Sequence, residues 1–561
     1  MCPPTDRSRT RRSPAPCEGA LSARAEWLLF AIAVAARLLH LFAVYDTVWF
    51  QVPIIDAATY DAAARAIAAG HGHPDRIFWQ APGYSYFLGA LHAMTGGSVF
   101  APRIVQTLLG GATAVLTARI GALLFGRGVG LAAGYGAAVY GTLVYFDGQL
   151  LTPTLGIPLL LAAVWLALRA ERARNDARLW SGAGAMTGLA ALVIGNALVL
   201  APLFAWRAGR RWWVVLASTA IAILPVTMRN VARGGEPVLV SSNAGINLYI
   251  GNNPRYDETV GVRPDLQWKR LSSEPLQFGI KGPSAGSTYF ARRVLRYAAG
   301  DPAGFVALQA KKGRLLLGGN EIFRDQAIYP ERRESPLLAA LLWKIPGAAF
   351  PFGLLLPLAS IGLAAGARRA PLLTATIAVY ALSVLAFFIT ARYRLPLVPL
   401  LLVFGAEGGR WLWKEASAGR RVVALAGAAA VYLVANLGQG PMESVMNADA
   451  EFSVGARLIE RGDRAAARPH IEAALERNPD YLEAWVNLGA LDAGEGRTAE
   501  AEAAFRRAVA IDPNQPTALF NLAVLCEKTG RLDEAAALYE RLLEVNPGDA
   551  GVIARAAALR R

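Results

Sequence analysis

Between residues 26 and 438 the chain returns repeatedly to apolar runs. Each is about 20 residues long, the length that crosses the hydrocarbon core of a bilayer as a helix. The runs lie near 26–45, 103–125, 128–146, 150–169, 212–228, 346–366, 371–390, 395–409 and 422–438. In lipid a backbone N–H or C=O finds no water, so each run must satisfy its own hydrogen bonds, and a helix does that within one segment. Composition agrees, with 54% hydrophobic and only 18% charged residues among 561. The reading is an all-α, polytopic helical membrane protein.

Charge sorts the ends of these spans. Arg127, ERARNDAR (171–178), RAGRR (207–211), Arg368-Arg369 and RWLWK (410–414) stand at span ends, the pattern of cytoplasmic loops. The net charge of +15 is therefore a positive-inside bias. It is not a basic stripe interleaved with aromatics, and nucleic acid is not expected as a partner. The segment 180–206 has basic flanks on both sides and is broken at Gly195-Asn196. It reads as a hairpin of two short helices that enters and returns, which a membrane tolerates when the turn is packed in protein.

With that hairpin, the loops 47–100 and 229–335 and the segment TARYRLP (390–396) all fall on the extracytoplasmic side of the inner (plasma) membrane. Residues 1–24, rich in Arg, Ser and Pro, read as a disordered basic tail on the cytoplasmic side. No small-residue cleavage site follows the first span, so that span reads as an anchor. Residues 25–440 form one multi-span unit. The aromatics and turn residues of 229–335 mark it as a folded external subdomain.

The last third, 447–561, changes character and acquires a period. Gly462, Gly496 and Gly530 are spaced by 34, as are Ala467, Ala501 and Ala535, and Pro479, Pro513 and Pro547. The unit 482–514 carries Trp485, Leu488, Gly489, Ala501, Phe505, Ala508 and Pro513, the tetratricopeptide pattern of paired helices. Three such repeats stack into an α-solenoid whose groove takes a peptide or partner helix. A purely structural or dimerising cap is the plainer reading. The span count places the repeats outside.

The stretch IIDAATYDAAARAIAAGHGHPDRIFWQAPGYSYF (54–87) is polar, aromatic and punctuated at once. Asp56 opens a helical pattern in which Asp56, Tyr60, Ala63 and Ile67 share one face, and Gly70 stops it. A carboxylate among aromatics at a membrane mouth is a candidate general base. An Asp at a helix start is also a common N-cap, and the two roles can coexist. Cys2, Cys17 and Cys526 are too few and too scattered for a disulfide framework, and the five His have no ligand spacing, so neither a bridge nor a metal site is expected.

Four stretches together carry a resemblance: DAATYDAAARAIAAG with QAPGYSYF (56–87), RIVQ (103–106), PVTMRN followed by SSNAGINLYIGNNP (225–254), and RYRLPLVPLLL (392–402). In order and spacing they resemble bacterial membrane glycosyltransferases of the GT-C fold, the group related to protein mannosyltransferases and lipid A aminoarabinose transferases. The resemblance covers roughly residues 26–410. It implies a sugar donor on a polyprenyl phosphate and a catalytic Asp near the start of the first external loop, here Asp56. Relatives also carry an acid near the fourth span within an LLTE pattern. This chain reads FDGQLLTPTLG, with Pro153 at that place, and Asp147 is the substitute to consider. Where many relatives show an Arg-Pro pair in the fifth segment, this chain has Gly195-Asn196.

The implied reaction is a single inverting displacement at the anomeric carbon. Asp56 would take the acceptor's proton. Fixed positive charge would stabilise the leaving phosphate, and Arg103, Arg229, Arg392 and Arg394, all at expected outer span ends, are the candidates. Each alone also reads as an interfacial or salt-bridging Arg, but external Arg runs against the positive-inside bias. Tyr60, Trp79, Pro82 and Tyr84 would line the sugar pocket or form an aromatic belt. Asn252 and Asn253 would hydrogen-bond sugar or build the GNNP turn. The partners implied are the polyprenyl lipid, a protein or glycan acceptor, and a protein bound through the repeats. No cofactor beyond the donor is implied, and the residues leave a divalent metal open. The contrasting reading is a non-enzymatic membrane-anchored tetratricopeptide scaffold. It needs one or two spans, not ten.

Overall fold

Ser22 ends the polar lead-in. Its hydroxyl accepts the Ala25 amide, and Ala23–Val44 follows as one apolar helix. In the computed structural model, residues 21–173, 175–261, 266–322, 328–437, 443–545 and 550–559 are described. The expected basic tail, with Cys2 and Cys17, lies outside them apart from its last residues, of which Ala23 and Arg24 are already helical.

Five helices among the described residues are long and apolar enough to cross a bilayer, and a sixth span arises if the pair Arg127–Ala138 and Gly141–Asp147, bent by 54°, counts as one. Small residues set the close approaches. Gly121 and Gly130 face each other, so that a Cβ on Gly121 would sit 2.9 Å from the Gly130 Cα. This packs Phe100–Phe125 against Arg127–Ala138 through backbone contact.

The segment read as a hairpin folds as one. Gly184 lies against Val215 and Ser218, Gly188 lies against Thr219 and Ala222, and the Thr219 hydroxyl donates to the Gly184 carbonyl at 2.9 Å. Ala177–Ala191 and Trp212–Gly234 therefore run side by side in the same direction. The chain between them, Gly195–Val199 and Leu200–Ala208, must double back. Arg207 donates to Glu171 at 2.6 Å, which returns the hairpin to the end of the bundle where Pro153–Arg172 finishes.

That end also carries the pairs Arg119–Glu26, Arg369–Glu407 and Arg410–Glu407. The Arg-rich turns expected to share one side thus meet carboxylates at one end of the bundle. The other end receives the loops. There Ile55–Ala68 and Gly83–Thr95 pack on each other. Ala244–Gly251, Pro283–Gly300 and Pro302–Leu317 enclose a core of Ile246, Tyr249, Ile250, Phe290, Val294 and Leu308, to which Phe388 is added from beyond Pro371–Ala386. A small hairpin of two three-residue strands, Trp343–Ile345 with Ala348–Phe350, is a departure from helix among the described residues.

From residue 443 the helices pair: Glu443–Glu460 with Arg464–Arg477, Leu482–Gly494 with Thr498–Ile511, and Pro516–Lys528 with Leu532–Val545, followed by Ala550–Leu559. Each inter-helix turn is made by one of the periodic glycines. Gly462, Gly496 and Gly530 have φ of 84°, 80° and 77°, a region glycine enters at no steric cost. The periodic alanines 467, 501 and 535 are fully buried where the helices cross.

Candidate functional site

At the loop end of the bundle lies a cavity of about 600 Å3. Its walls come from six separated stretches: Asp56 with Tyr60; Gln80 with Ala81; Thr152; residues between Val193 and Val199; residues between Leu239 and Asn247; and residues between Tyr380 and Tyr393. Apolar side chains line it, from Val193, Ile194, Leu198, Val199, Leu239, Val384, Phe387 and Phe388. Among them stand amides and a hydroxyl, from Gln80, Asn196, Ser241, Asn243 and Asn247. Gly195 lines the wall at the hairpin break, and a Cβ there would meet nothing within 4 Å.

Asp56 occupies the first turn of Ile55–Ala68 but is not its N-cap. That position is Ile54, and no side chain caps the helix. The carboxylate is spent sideways. One oxygen accepts the Gln80 amide at 2.9 Å, and the other lies 2.8 Å from Arg392 Nη2. Arg392 sits in the single turn Ala391–Arg394, which is capped by the Thr390 hydroxyl on the Tyr393 amide. Its guanidinium lies 5.1 Å from the Tyr393 ring centroid. Among the cavity-lining residues this is the one carboxylate facing the one guanidinium.

Of the residues singled out from sequence, Asp56, Tyr60 and Arg392 meet at the cavity. The others do not line it, and each has a physical occupation elsewhere. Tyr84 is fully buried behind Tyr60, ring to ring at 5.3 Å, and donates to Gln106 at 2.6 Å. Trp79 packs against Trp268. Pro82 precedes the first turn of Gly83–Thr95. Arg103 is buried, donates to the carbonyls of Gly148 and Val99, and covers the Phe50 ring at 3.9 Å.

Asp147 is also enclosed. Arg37 Nε donates to it at 2.6 Å, in a space left open because Gly110 has no Cβ. A carboxylate at that depth needs such a partner, so it is held away from the cavity. Arg229 donates to the carbonyls of His73, Asp75 and Arg76 and covers Phe78, which fastens the 73–78 loop. Arg394 is 2% exposed and is bound to Glu321 and to the carbonyls of Gly318 and Asn320.

Asn252 donates to Leu248 and Ala386 and accepts from Gln309 and Lys312. Asn253 serves the carbonyls of Tyr249 and Ile250 and the Thr259 hydroxyl. The turn reading of GNNP describes both.

The amides that do reach the cavity are ones the sequence reading passed over. Asn243 and Asn247 lie in the same SSNAGINLYIGNNP stretch, four residues apart and so on one helical face. That spacing was the available signal. Thr152, beside Pro153, occupies the wall where the resemblance implies a second acid. Among the described residues no cluster of three or more His, Cys, Asp or Glu is placed to hold a metal ion.

Residues 79–228 match the model of the dolichyl-phosphate-mannose-protein mannosyltransferase family. Residues 455–516 and 492–559 match tetratricopeptide repeat models. No curated protein sequence matches.

Among solved structures, ArnT from Cupriavidus metallidurans bound to undecaprenyl phosphate is similar at 12% identity and TM-score 0.39, over 92% of this chain and 80% of that one. The Archaeoglobus fulgidus oligosaccharyltransferase AglB, in complex with an inhibitory peptide and a dolichol-phosphate, is similar at 12% identity and TM-score 0.41. It covers 84% of this chain, which spans only 58% of its length. The tetratricopeptide protein YrrB is similar at 19% identity and TM-score 0.19, over 35% of this chain and 90% of that one. The chain is thus a helical membrane protein that is similar over residues 79–228 to the mannosyltransferase family of membrane glycosyltransferases and carries tetratricopeptide repeats behind that segment.

Proposed function

We propose that the cavity transfers a sugar from a polyprenyl-phosphate donor to an acceptor on the extracytoplasmic side of the plasma membrane. The observation that carries the reading is the Asp56–Arg392 pair at a cavity lined by both apolar side chains and amides. The apolar side chains suit an isoprenoid chain. The amides of Gln80, Asn196, Asn243 and Asn247 suit sugar hydroxyls, and the Tyr60 ring suits a sugar face. The other residues read from sequence support this frame from outside the cavity. A scaffold built to anchor repeats needs no such cavity, which favours the enzyme.

The charges set the chemistry. Donor phosphate competes with the Asp56 carboxylate for the Arg392 guanidinium, whose planar fork matches either anion. When phosphate takes it, Asp56 is freed to accept the acceptor's proton. The acceptor oxygen or nitrogen forms a bond to the anomeric carbon as the bond to phosphate oxygen breaks. The sugar inverts, the proton passes to Asp56, and the electron pair leaves on a phosphate monoester held by Arg392. In this reading residues 25–440 are the transferase, with its outer loops at 47–100 and 229–335, and 447–561 recruit an acceptor or a protein partner outside.

The test is transfer in vesicles supplied with polyprenyl-phosphate sugars. Asp56→Asn is expected to lower transfer by about two to four orders of magnitude, the worth of a positioned general base, with unfolding temperature unchanged. Unaltered transfer removes Asp56 from the mechanism.

A further inference from the structure

The first repeat does not stand free of the membrane domain. Val52 and Ile54, each 4% exposed, share one buried cluster with Val454, Leu458 and Ala467, which come from both helices of that repeat. The ring of Trp49 meets His470 edge to face at 6.0 Å, and Arg461 donates to the Gln51 carbonyl at 3.4 Å. A solenoid has an unpartnered apolar face at its first unit, which terminal caps normally cover. Here Val48, Trp49, Val52 and Ile54, between the first span and the Asp56 helix, pack against the helix pair of the first repeat.

This segment leads directly into the site. Ile55 has φ of +49°, a left-handed conformation that a β-branched residue adopts only when its surroundings impose it. The next residue is Asp56. Ile54, which precedes the bend, is anchored in the repeat's apolar cluster. The backbone bend that aims the carboxylate toward Gln80 and Arg392 is thus held at one end by the repeats.

We infer that the first repeat is a positioning element for Asp56, through Val454 and Leu458 acting on Val52 and Ile54. This rests on the reading of Asp56 as the base and adds to it. The repeats do more than recruit. They complete the scaffold of the site, and anything that shifts the first repeat, such as a partner seated along the solenoid, moves the base.

Hydrogen exchange on the full-length chain tests the contact without any activity. Val52→Ser with Ile54→Ser leaves the repeats' own sequence intact. Exchange is expected to rise by about tenfold or more in 443–470 and in 55–60, and to stay unchanged in 516–545. Leu458→Ala is expected to speed exchange in 55–60 as well. Unchanged exchange in 443–470 in the first variant, or in 55–60 in the second, overturns the inference. In the vesicle assay Leu458→Ala is expected to lower kcat with the donor KM unchanged, and Leu458→Met to restore it. A fall confined to acceptor KM would assign the repeat to recruitment alone and overturn the positioning role. Failure of the reading of Asp56 shows separately, as Asp56→Asn that still transfers sugar while the exchange responses persist.

Discussion

Asp56 and Arg392, far apart in sequence, face each other at 2.8 Å in the lining of one cavity. In this state the proposed base and the proposed phosphate-binding cation neutralise each other, and in the proposed reaction the donor's phosphate separates them. Arg392→Gln is therefore expected to lower kcat/KM for donor by about 10²–10³, the usual effect of removing one donor to a developing oxyanion. Arg392→Lys restores little of it, because an ammonium lacks the planar fork. Initial rates at varied donor concentration in vesicles measure both. Full activity in Arg392→Gln would mean the phosphate is held elsewhere.

Asn247 and Asn252 separate a proposed sugar contact from a structural clasp. Asn252→Ala strands the Ala386 carbonyl, the Gln309 amide and the buried Lys312 ammonium. Burial already lowers the Lys312 pKa to about 8, so its remaining partner counts. The expected loss is about 1–3 kcal/mol of stability, read as a lower unfolding temperature in detergent. Asn247→Ala should leave that temperature alone and raise the donor KM. The reverse pattern would restore Asn252 to the sugar pocket.

The buried pair of Arg394 and Glu321, both under 5% exposed, behaves differently from a surface bridge. Removing one partner leaves a charge in a low-dielectric interior. Arg394→Leu is expected to cost about 3–5 kcal/mol, and a second change, Glu321→Leu, to recover part of it. Thermal unfolding of the single and double variants checks this, and additive losses would show that the two charges do not couple.

In the repeats, hydrogen bonds from Arg531 and Arg506 hold the Glu502 carboxyl at about 2, below its ordinary 4.5. The folded state binds this proton less tightly than the unfolded chain does. The stabilisation is therefore complete above about 4.5 and is lost as pH falls toward 2. Exchange protection of 498–545, tracked from pH 6 down to pH 3, should fall less steeply in Glu502→Gln than in the parent chain. Equal slopes would assign the acid sensitivity to other carboxylates.

The sequence was most readable where a physical rule leaves few alternatives. Apolar length placed the helices, basic flanks marked the ends, and the glycines 462, 496 and 530 announced their own left-handed turns. The hairpin read at 180–206 came from charge on both flanks plus Gly195-Asn196. The site was less readable because Arg and Asn are used both for chemistry and for holding backbone. Arg103, Arg229 and Arg394 resemble Arg392 in sequence, and only packing shows that three of them bind carbonyls. Nothing in the spacing of Val52 and Ile54 hinted that they pair with residues some 400 positions later, since side-chain burial across such a separation has no local periodicity.

Gly195 leaves a further mark on what this scaffold permits. It borders the cavity where the hairpin turns, and the space above its Cα is vacant. An alanine or serine could be added there without moving a helix, and the room for a bound ring would shrink. If the proposed function holds, descendants of this chain can diverge in the bulk of the ligand they accept through that one position, while every contact that keeps the bundle folded stays as it is.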